Sequence, residues 1–175
     1  MPRTFERLII AATTGIFVVT ASAAEFAFGP YHISVEADAS GVMTTTDYQI
    51  VVANEDLVLT RLTAPYEGTL SKRFVTDLDG DGDFEVVVTF SHDQGRATGM
   101  HLYTWNEYLL EPVEVAPLAT GDAQGYRGGD EFAIVDGALV RVFQVYAERD
   151  DVWQPTAAQR RLRYSLRESR WIRED

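Results

Sequence analysis

Residues 69–90 read TLSKRFVTDLDGDGDFEVVVTF, and this stretch decides the fold. Two apolar, β-branched segments, Thr69–Thr76 and Phe84–Phe90, flank a short turn of aspartates and glycines. β-Branched and aromatic residues favour strands, and an Asp/Gly turn between two such segments is typical of a β-hairpin. The stretch therefore predicts two antiparallel strands joined by an acidic turn.

Short segments of the same kind recur along the chain, each bounded by turn residues. The further predicted strands are Tyr31–Ala37, Tyr48–Val52, Leu57–Thr63, Met100–Trp105, Leu110–Val115, Phe132–Val135, Leu139–Tyr146 and Arg160–Arg167. No long helical period appears, and Gly121–Gly129 is expected to be a loop within the domain. The regular spacing predicts an all-β fold, a single-domain antiparallel β-sandwich of about eight or nine short strands.

The amino-acid composition excludes several classes of function. The 175 residues include 15 Lys and Arg, 27 Asp and Glu and no Cys, for a net charge of -12. Because phosphate contacts need a positive face, this charge argues against nucleic-acid binding. The absence of Cys excludes disulfides, iron–sulfur clusters and a thiol nucleophile.

The first segment has the layout of an export signal. Basic residues precede an uncharged, largely apolar run, Leu8–Thr20, and small residues follow it. We expect residues 1–24 to be a signal peptide, cleaved after Ala23 or Ala24, and residues 25–175 to form the exported domain. An uncleaved membrane anchor is the less favoured alternative, because a spanning helix needs about 20 apolar residues. The predicted location is the periplasm, with no membrane attachment after cleavage.

The acidic turn has the composition of a calcium loop. Alternate aspartates can bring carboxylates to one centre, glycines permit the tight turn, and Ca²⁺ prefers hard oxygen ligands. The candidate ligands are the side chains of Asp77, Asp79, Asp81 and Glu85 and the carbonyl of Asp83. Val88 occupies the last ligand position of an EF-hand, so the DxDGDG loop of integrin-type β repeats is a closer comparison. A hairpin turn without metal is an equal alternative, and a bound Ca²⁺ would be structural.

No motif points to catalysis. His32, His92 and His101 are isolated in the sequence. Ser91, His92 and Asp93 are the residue types of a catalytic triad, but successive residues in a strand point to opposite sides. The chain contains no GxSxG, HExxH or P-loop motif. We expect no enzymatic activity, and a hydrolase that uses His92 or His101 is the alternative.

Arginines concentrate near the end of the sequence. Residues 155–175 carry six Arg against three acidic residues. They could bind an acidic partner, but the regular alternation of Arg160–Arg167 favours an outer strand whose arginines protect a sheet edge.

Two segments, in their order and spacing, resemble the bacterial periplasmic inhibitors of invertebrate-type (i-type) lysozyme. Residues 125–135, GYRGGDEFAIV, resemble the GYxGxDEF segment of that family, and residues 139–146, LVRVFQVY, resemble its LVRxFxVY strand. The acidic hairpin and the strand Arg160–Leu166 are also similar to the family. The resemblance implies a small all-β periplasmic protein that inhibits a lysozyme by inserting a loop into its active-site cleft.

The loop that corresponds to the inhibitory loop of the family departs from its pattern. The family has a Ser-Gly-Ser-Tyr-like sequence there, whereas Arg96 and Ala97 stand in place of its Ser-Tyr pair. An arginine is suited to a cleft lined by carboxylates, because the two groups form bidentate pairs. A solvated loop residue is the alternative for Arg96. The candidate contact residues are Ser91, His92, Gln94, Arg96, Ala97 and Thr98.

Tyr126 and Arg127 are candidates for a second contact loop, although a structural role for Tyr126 and its flanking glycines is favoured. The predicted function requires no cofactor, and Ca²⁺ is the one candidate ligand. The expected partner is a lysozyme. The alternative function is a calcium-stabilised exported binding module with another partner. Exposed strand edges could also pair two copies into a homodimer.

Overall fold

The computed structural model describes residues 23–37, 46–92 and 97–174 and is built almost entirely of antiparallel strands. The elements are β1 (Ala24–Phe28), β2 (Tyr31–Ala37), β3 (Thr46–Asn54), β4 (Leu57–Tyr66), β5 (Thr69–Thr76), β6 (Glu85–His92), β7 (Ala97–Trp105), β8 (Leu110–Val113), α1 (Thr120–Ala123), β9 (Glu131–Val135), β10 (Ala138–Arg149), β11 (Val152–Ser165) and β12 (Arg170–Arg173). The predicted all-β sandwich in a single domain is confirmed, with 67% of the described residues in strands. In these ranges, no helix is long and apolar enough to cross a membrane.

The strands form three four-stranded sheets in chain order. The first sheet contains β1 to β4, the central sheet β5 to β8, and the third sheet β9 to β12. Within each sheet every strand pairs antiparallel with its sequence neighbours. Such meanders need only short connections, which explains the frequent turn residues of the sequence.

The central sheet is covered on both faces. Val86, Val88 and Phe90 of β6 belong to the apolar core shared with the first sheet. Val87 lies between them in sequence and belongs to the core shared with the third sheet, because successive residues of a strand point to opposite faces. All six residues from Glu85 to Phe90 are buried. A strand covered on both faces needs residues that can be buried at successive positions, and Val86, Val87, Val88 and Phe90 of β6 meet this need.

The connections gather at two ends of the three-layer stack. At the acidic-loop end, which holds residues 77–84, Phe28 packs on Phe84 with ring centroids 5.5 Å apart. Arg167 in the β11–β12 turn also reaches this end, where it donates to the carbonyl oxygen of Asp79 at 2.8 Å. At the stem end, where β6 ends and β7 begins, Tyr66 of β4 packs on Phe90 at 6.0 Å.

The described residues contain twelve strands, more than the eight or nine predicted for the sandwich and two more than the ten segments named from the sequence. β1 and β12 are short strands that the sequence analysis did not predict. β1 begins at Ala24, so cleavage after Ala23 would leave the strand whole. The helical turn α1 lies at the start of the predicted loop Gly121–Gly129.

The prediction of an Arg-lined outer strand is wrong. β11 begins at Val152, well before the predicted Arg160, and lies between β10 and β12. The chain reverses after Ser165, and the four residues of β12 cover the edge that was expected to be open. Leu162 and Tyr164 are nevertheless buried as the alternation predicted.

The double coverage of the central sheet predicts which leucines stabilise the fold. Leu102 in β7 is 1% exposed and faces the third sheet, whereas Leu57 at the start of β4 is 66% exposed. We expect Leu102→Ala to lower the free energy of unfolding by about 2–5 kcal/mol, because it leaves a cavity in a packed core. Leu57→Ala, the matched control, is expected to change it by less than about 0.5 kcal/mol. Chemical denaturation measures both, and equal losses would contradict the three-layer packing.

Candidate functional site

The acidic loop is closed by hydrogen bonds to Asp77. Its carboxylate accepts the backbone N–H of Gly80 at 2.6 Å and that of Gly82 at 3.1 Å. Gly80 and Gly82 have φ angles of 76° and 98°, in the region that favours glycine. The Asp/Gly composition is therefore used to fold the loop around the first aspartate.

The loop brings together three of the five predicted metal ligands. Ligand oxygens of Asp77, Asp79 and Glu85 lie within 4.8 Å of one another. Asp81 lies outside this group, and its carboxylate accepts the backbone N–H of Asp83 at 2.9 Å. The pKa of Asp83 is raised, by desolvation first and then by neighbouring carboxylates that include Asp81.

Glu85, the first residue of β6, is a buried carboxyl group. It accepts the backbone N–H of Leu78 at 2.7 Å and the Thr104 hydroxyl at 3.0 Å. Burial raises its pKa to about 7, the charges of Asp79 and Asp81 act in the same direction, and the two hydrogen bonds oppose the shift. Among the described residues no cationic side chain pairs with Glu85. Three converging carboxylates with neutral partners are a donor set that fits a divalent cation such as Ca²⁺.

The predicted inhibitory loop is anchored by the last pairs between β6 and β7. Ser91 pairs with Thr98, and His92 pairs with Ala97. Two predicted contact residues, Gln94 and Arg96, lie outside the described residues, as does Asp93 of the triad-like segment. The stem that carries this connection belongs to the doubly covered central sheet.

A groove of about 370 Å³ lies beside this stem. It is lined by residues from the end of β4, the turn that follows, β6 and β7, namely Pro65, Tyr66, Glu67, Phe90, His92 and His101. The imidazole of His92 meets the ring of Phe90 edge-on at 5.6 Å, and that of His101 meets it at 4.9 Å. The two histidines that seemed isolated in the sequence therefore share one groove. Hairpin register brings them together, whereas His32 is exposed on β2.

His101 is tied into the core beneath the groove. Its Nδ1 lies 2.7 Å from the Tyr48 hydroxyl, which in turn lies 2.6 Å from the Tyr103 hydroxyl. Burial lowers the pKa of His101 and raises those of both tyrosines. The three groups join the first sheet to the central sheet through a chain of neutral hydrogen bonds.

The two segments that carry the family resemblance meet in a buried ion pair. Asp130 is fully buried and accepts the Arg141 Nε–H at 2.7 Å and the Tyr126 hydroxyl at 2.5 Å. The guanidinium of Arg141 lies 5.1–5.8 Å from four aromatic rings, those of Tyr126, Phe132, Phe143 and Trp171. Removing one partner of a buried pair typically costs about 3–5 kcal/mol, because the other charge stays buried and uncompensated.

The second candidate loop is thus held against the third sheet. Tyr126 packs on Phe143 with ring centroids 4.9 Å apart. Arg127 lies over the ring of Trp153, with its guanidinium carbon 3.6 Å from the centroid. The pairing of Asp130 with Arg141 was not predicted from the sequence. The only signal was the opposite charge of two residues in neighbouring segments.

Most arginines near the end of the sequence have internal partners. Arg161 pairs with Glu174, and Arg170 pairs with Glu168. Arg160 is buried and donates to backbone carbonyls of the loop around α1. Among the residues that the structure describes, Arg163 and Arg167 are the two arginines of this segment without a carboxylate partner.

Comparisons of the chain with protein-family models, with curated proteins and with solved structures found no match. The resemblance to lysozyme inhibitors rests on the residues quoted above.

The buried Glu85 predicts a pH dependence of stability in the metal-free protein. Its pKa is about 7, above the ordinary value of 4.5, so the folded state favours the protonated carboxyl group. This contribution to stability is complete below pH 4.5 and is lost as the pH rises to about 7. As the pH rises over this range, we expect the unfolding free energy of wild type to fall relative to that of Glu85→Gln.

Denaturation in the presence of a chelator, at pH values from 4 to 8, measures this shift. Glu25→Gln is the matched control, because Glu25 is exposed on β1. A difference between wild type and Glu85→Gln that stays constant with pH would contradict the prediction.

Proposed function

We propose that this protein acts by binding another protein, without catalysis, and that its target is a lysozyme. The observation that carries the proposal is the stem of the predicted inhibitory loop. Ser91 and His92 end β6, the strand buried on both faces, and pair with Thr98 and Ala97 of β7. A loop held by two paired strands of a packed sheet loses little conformational entropy on binding, which favours affinity.

The mechanism of inhibition would be steric. Residues 93–96 would occupy the substrate cleft, and Arg96 would pair with the carboxylates that line it. The net charge of -12 would speed the encounter with a basic target through long-range attraction. The predicted signal peptide would deliver the protein to the periplasm, where an incoming lysozyme acts on the cell wall.

A cell-wall lysis assay with i-type, chicken-type and goose-type lysozymes tests this proposal. We expect inhibition of the i-type enzyme, and we expect Arg96→Ala to weaken it by about tenfold, the loss of one charge-assisted pair. Arg170→Ala, at the exposed start of β12 at the other end of the molecule, is the control. Lysis at the uninhibited rate by all three enzymes would rule the proposal out.

A calcium-stabilised binding module is the second candidate function, and the group of Asp77, Asp79 and Glu85 favours it. Ca²⁺ would offset most of the charge of the three carboxylates and fix the turn that leads into the central sheet. Its role would be structural in either function, because these residues lie at the opposite end of β6 from the predicted inhibitory loop.

Thermal and chemical unfolding in Ca²⁺ test this second candidate. A site with a Kd of about 10⁻⁴ M would stabilise the protein by about 2.7 kcal/mol when the free Ca²⁺ concentration is about a hundred times the Kd. Asp77→Asn is expected to abolish most of this gain, and Asp56→Asn in the exposed β3–β4 turn to leave it unchanged. The idea fails if Ca²⁺ and Mg²⁺ have the same small effect on wild type and both variants.

A further inference from the structure

A second cleft, of about 460 Å³, lies at the acidic-loop end between that loop and the β11–β12 hairpin. Its walls include Leu78 and Asp79 of the acidic loop and Arg163, Arg167 and Ile172 of the hairpin. We propose that this cleft binds a small apolar group that bears a carboxylate. The proposal is independent of the lysozyme proposal, whose contact loop belongs to the stem end.

Two arginines and two acidic residues line the cleft, and the arginines are the groups that suit an anion. The carboxylate of Glu174 is paired with Arg161, and that of Asp79 is held within the acidic loop, where it accepts the backbone N–H of Asp81 at 3.3 Å and lies with the carboxylates of Asp77 and Glu85. The two guanidinium groups have no carboxylate partner among the residues that the structure describes.

The two arginines are placed differently. Arg167 is oriented by its hydrogen bond to the Asp79 carbonyl, at 2.8 Å, which fixes it at the seam between the sheets. Arg163 is exposed on β11, directly across from Ile172 of β12. A planar guanidinium binds a carboxylate through two parallel hydrogen bonds, so Arg163 is the primary anchor for the ligand.

The apolar residues that line the cleft favour a ligand whose remaining part is apolar. Ile172 is the cross-strand neighbour of Arg163, and Leu78 packs against the core shared with the third sheet. Small-molecule sites have volumes of about 300–1,000 Å³ and combine apolar walls with a few placed polar groups. The cleft therefore fits an aliphatic carboxylic acid or the C-terminal residue of a polypeptide, which present the same chemistry.

The experiment is an NMR titration of ¹⁵N-labelled full-length protein with N-acetyl-leucine and with its amide, which has the same shape without the charge. We expect saturable shifts at residues 78–79 and 163–167 with the acid and at least tenfold weaker binding of the amide. Arg163→Gln is expected to weaken binding of the acid by about tenfold. Arg170→Gln, the matched control, is expected to bind like wild type because Arg170 is paired with Glu168 outside the cleft.

A third ligand separates the two sources of the carboxylate. Tighter binding of N-acetyl-Ala-Ala-Ala-Leu than of N-acetyl-leucine would identify a polypeptide C-terminus, and weaker binding would identify a free acid. Equal binding of acid and amide, wild-type affinity of Arg163→Gln, or no saturable shift with any ligand would each overturn the proposal.

Discussion

The structure depends on the need to cover β6 on both faces. A strand with six successive buried residues cannot lie at the surface of a two-layer sandwich, because half of its side chains would then face water. The first and third sheets each cover one face, and their packing separates the core into two clusters that meet across this strand. The same constraint buries Glu85, because a carboxyl group at the first position of such a strand cannot reach bulk solvent.

Both faces of the central sheet pack against other sheets. The polar candidate sites therefore lie at the two ends of this sheet. One end collects the acidic loop and the cleft with Arg163, and the other collects the groove with His92 and His101. Hydrogen bonds between layers fix both ends, through Arg167 to Asp79 at the first and through Tyr48 to His101 at the second. The cleft and the groove are therefore each built on elements from two sheets, an arrangement that preorganises binding.

The hairpin of β5 and β6 could be predicted from the sequence because its signals are local, in the β-branched flanks and the Asp/Gly turn. β1 and β12 could not, because four or five residues carry too little periodicity and form strands only when a neighbour offers its edge. For the sites, alternate aspartates predicted that Asp77 and Asp79 converge, since a turn brings near neighbours together. The shared groove of His92 and His101 and the pairing of Asp130 with Arg141 depend on strand register and on packing between segments, which no local pattern contains.

The residues that carry the family resemblance are largely occupied with holding the fold. Asp130 of the GYxGxDEF-like segment pairs with Arg141 of the LVRxFxVY-like strand inside a cage of aromatic rings, and Tyr126 completes that pair. Substituting one member of this pair would be costly, because it would leave the other charge buried and uncompensated, and this cost does not depend on a binding partner. Under the proposed function, the choice of partner would rest on a few residues of the β6–β7 connection, where Arg96 and Ala97 stand in place of the Ser-Tyr pair of the family that the sequence resembles. Under that proposal, the fold would depend on the third sheet and the target on one connection of the central sheet, so the two could change independently of each other.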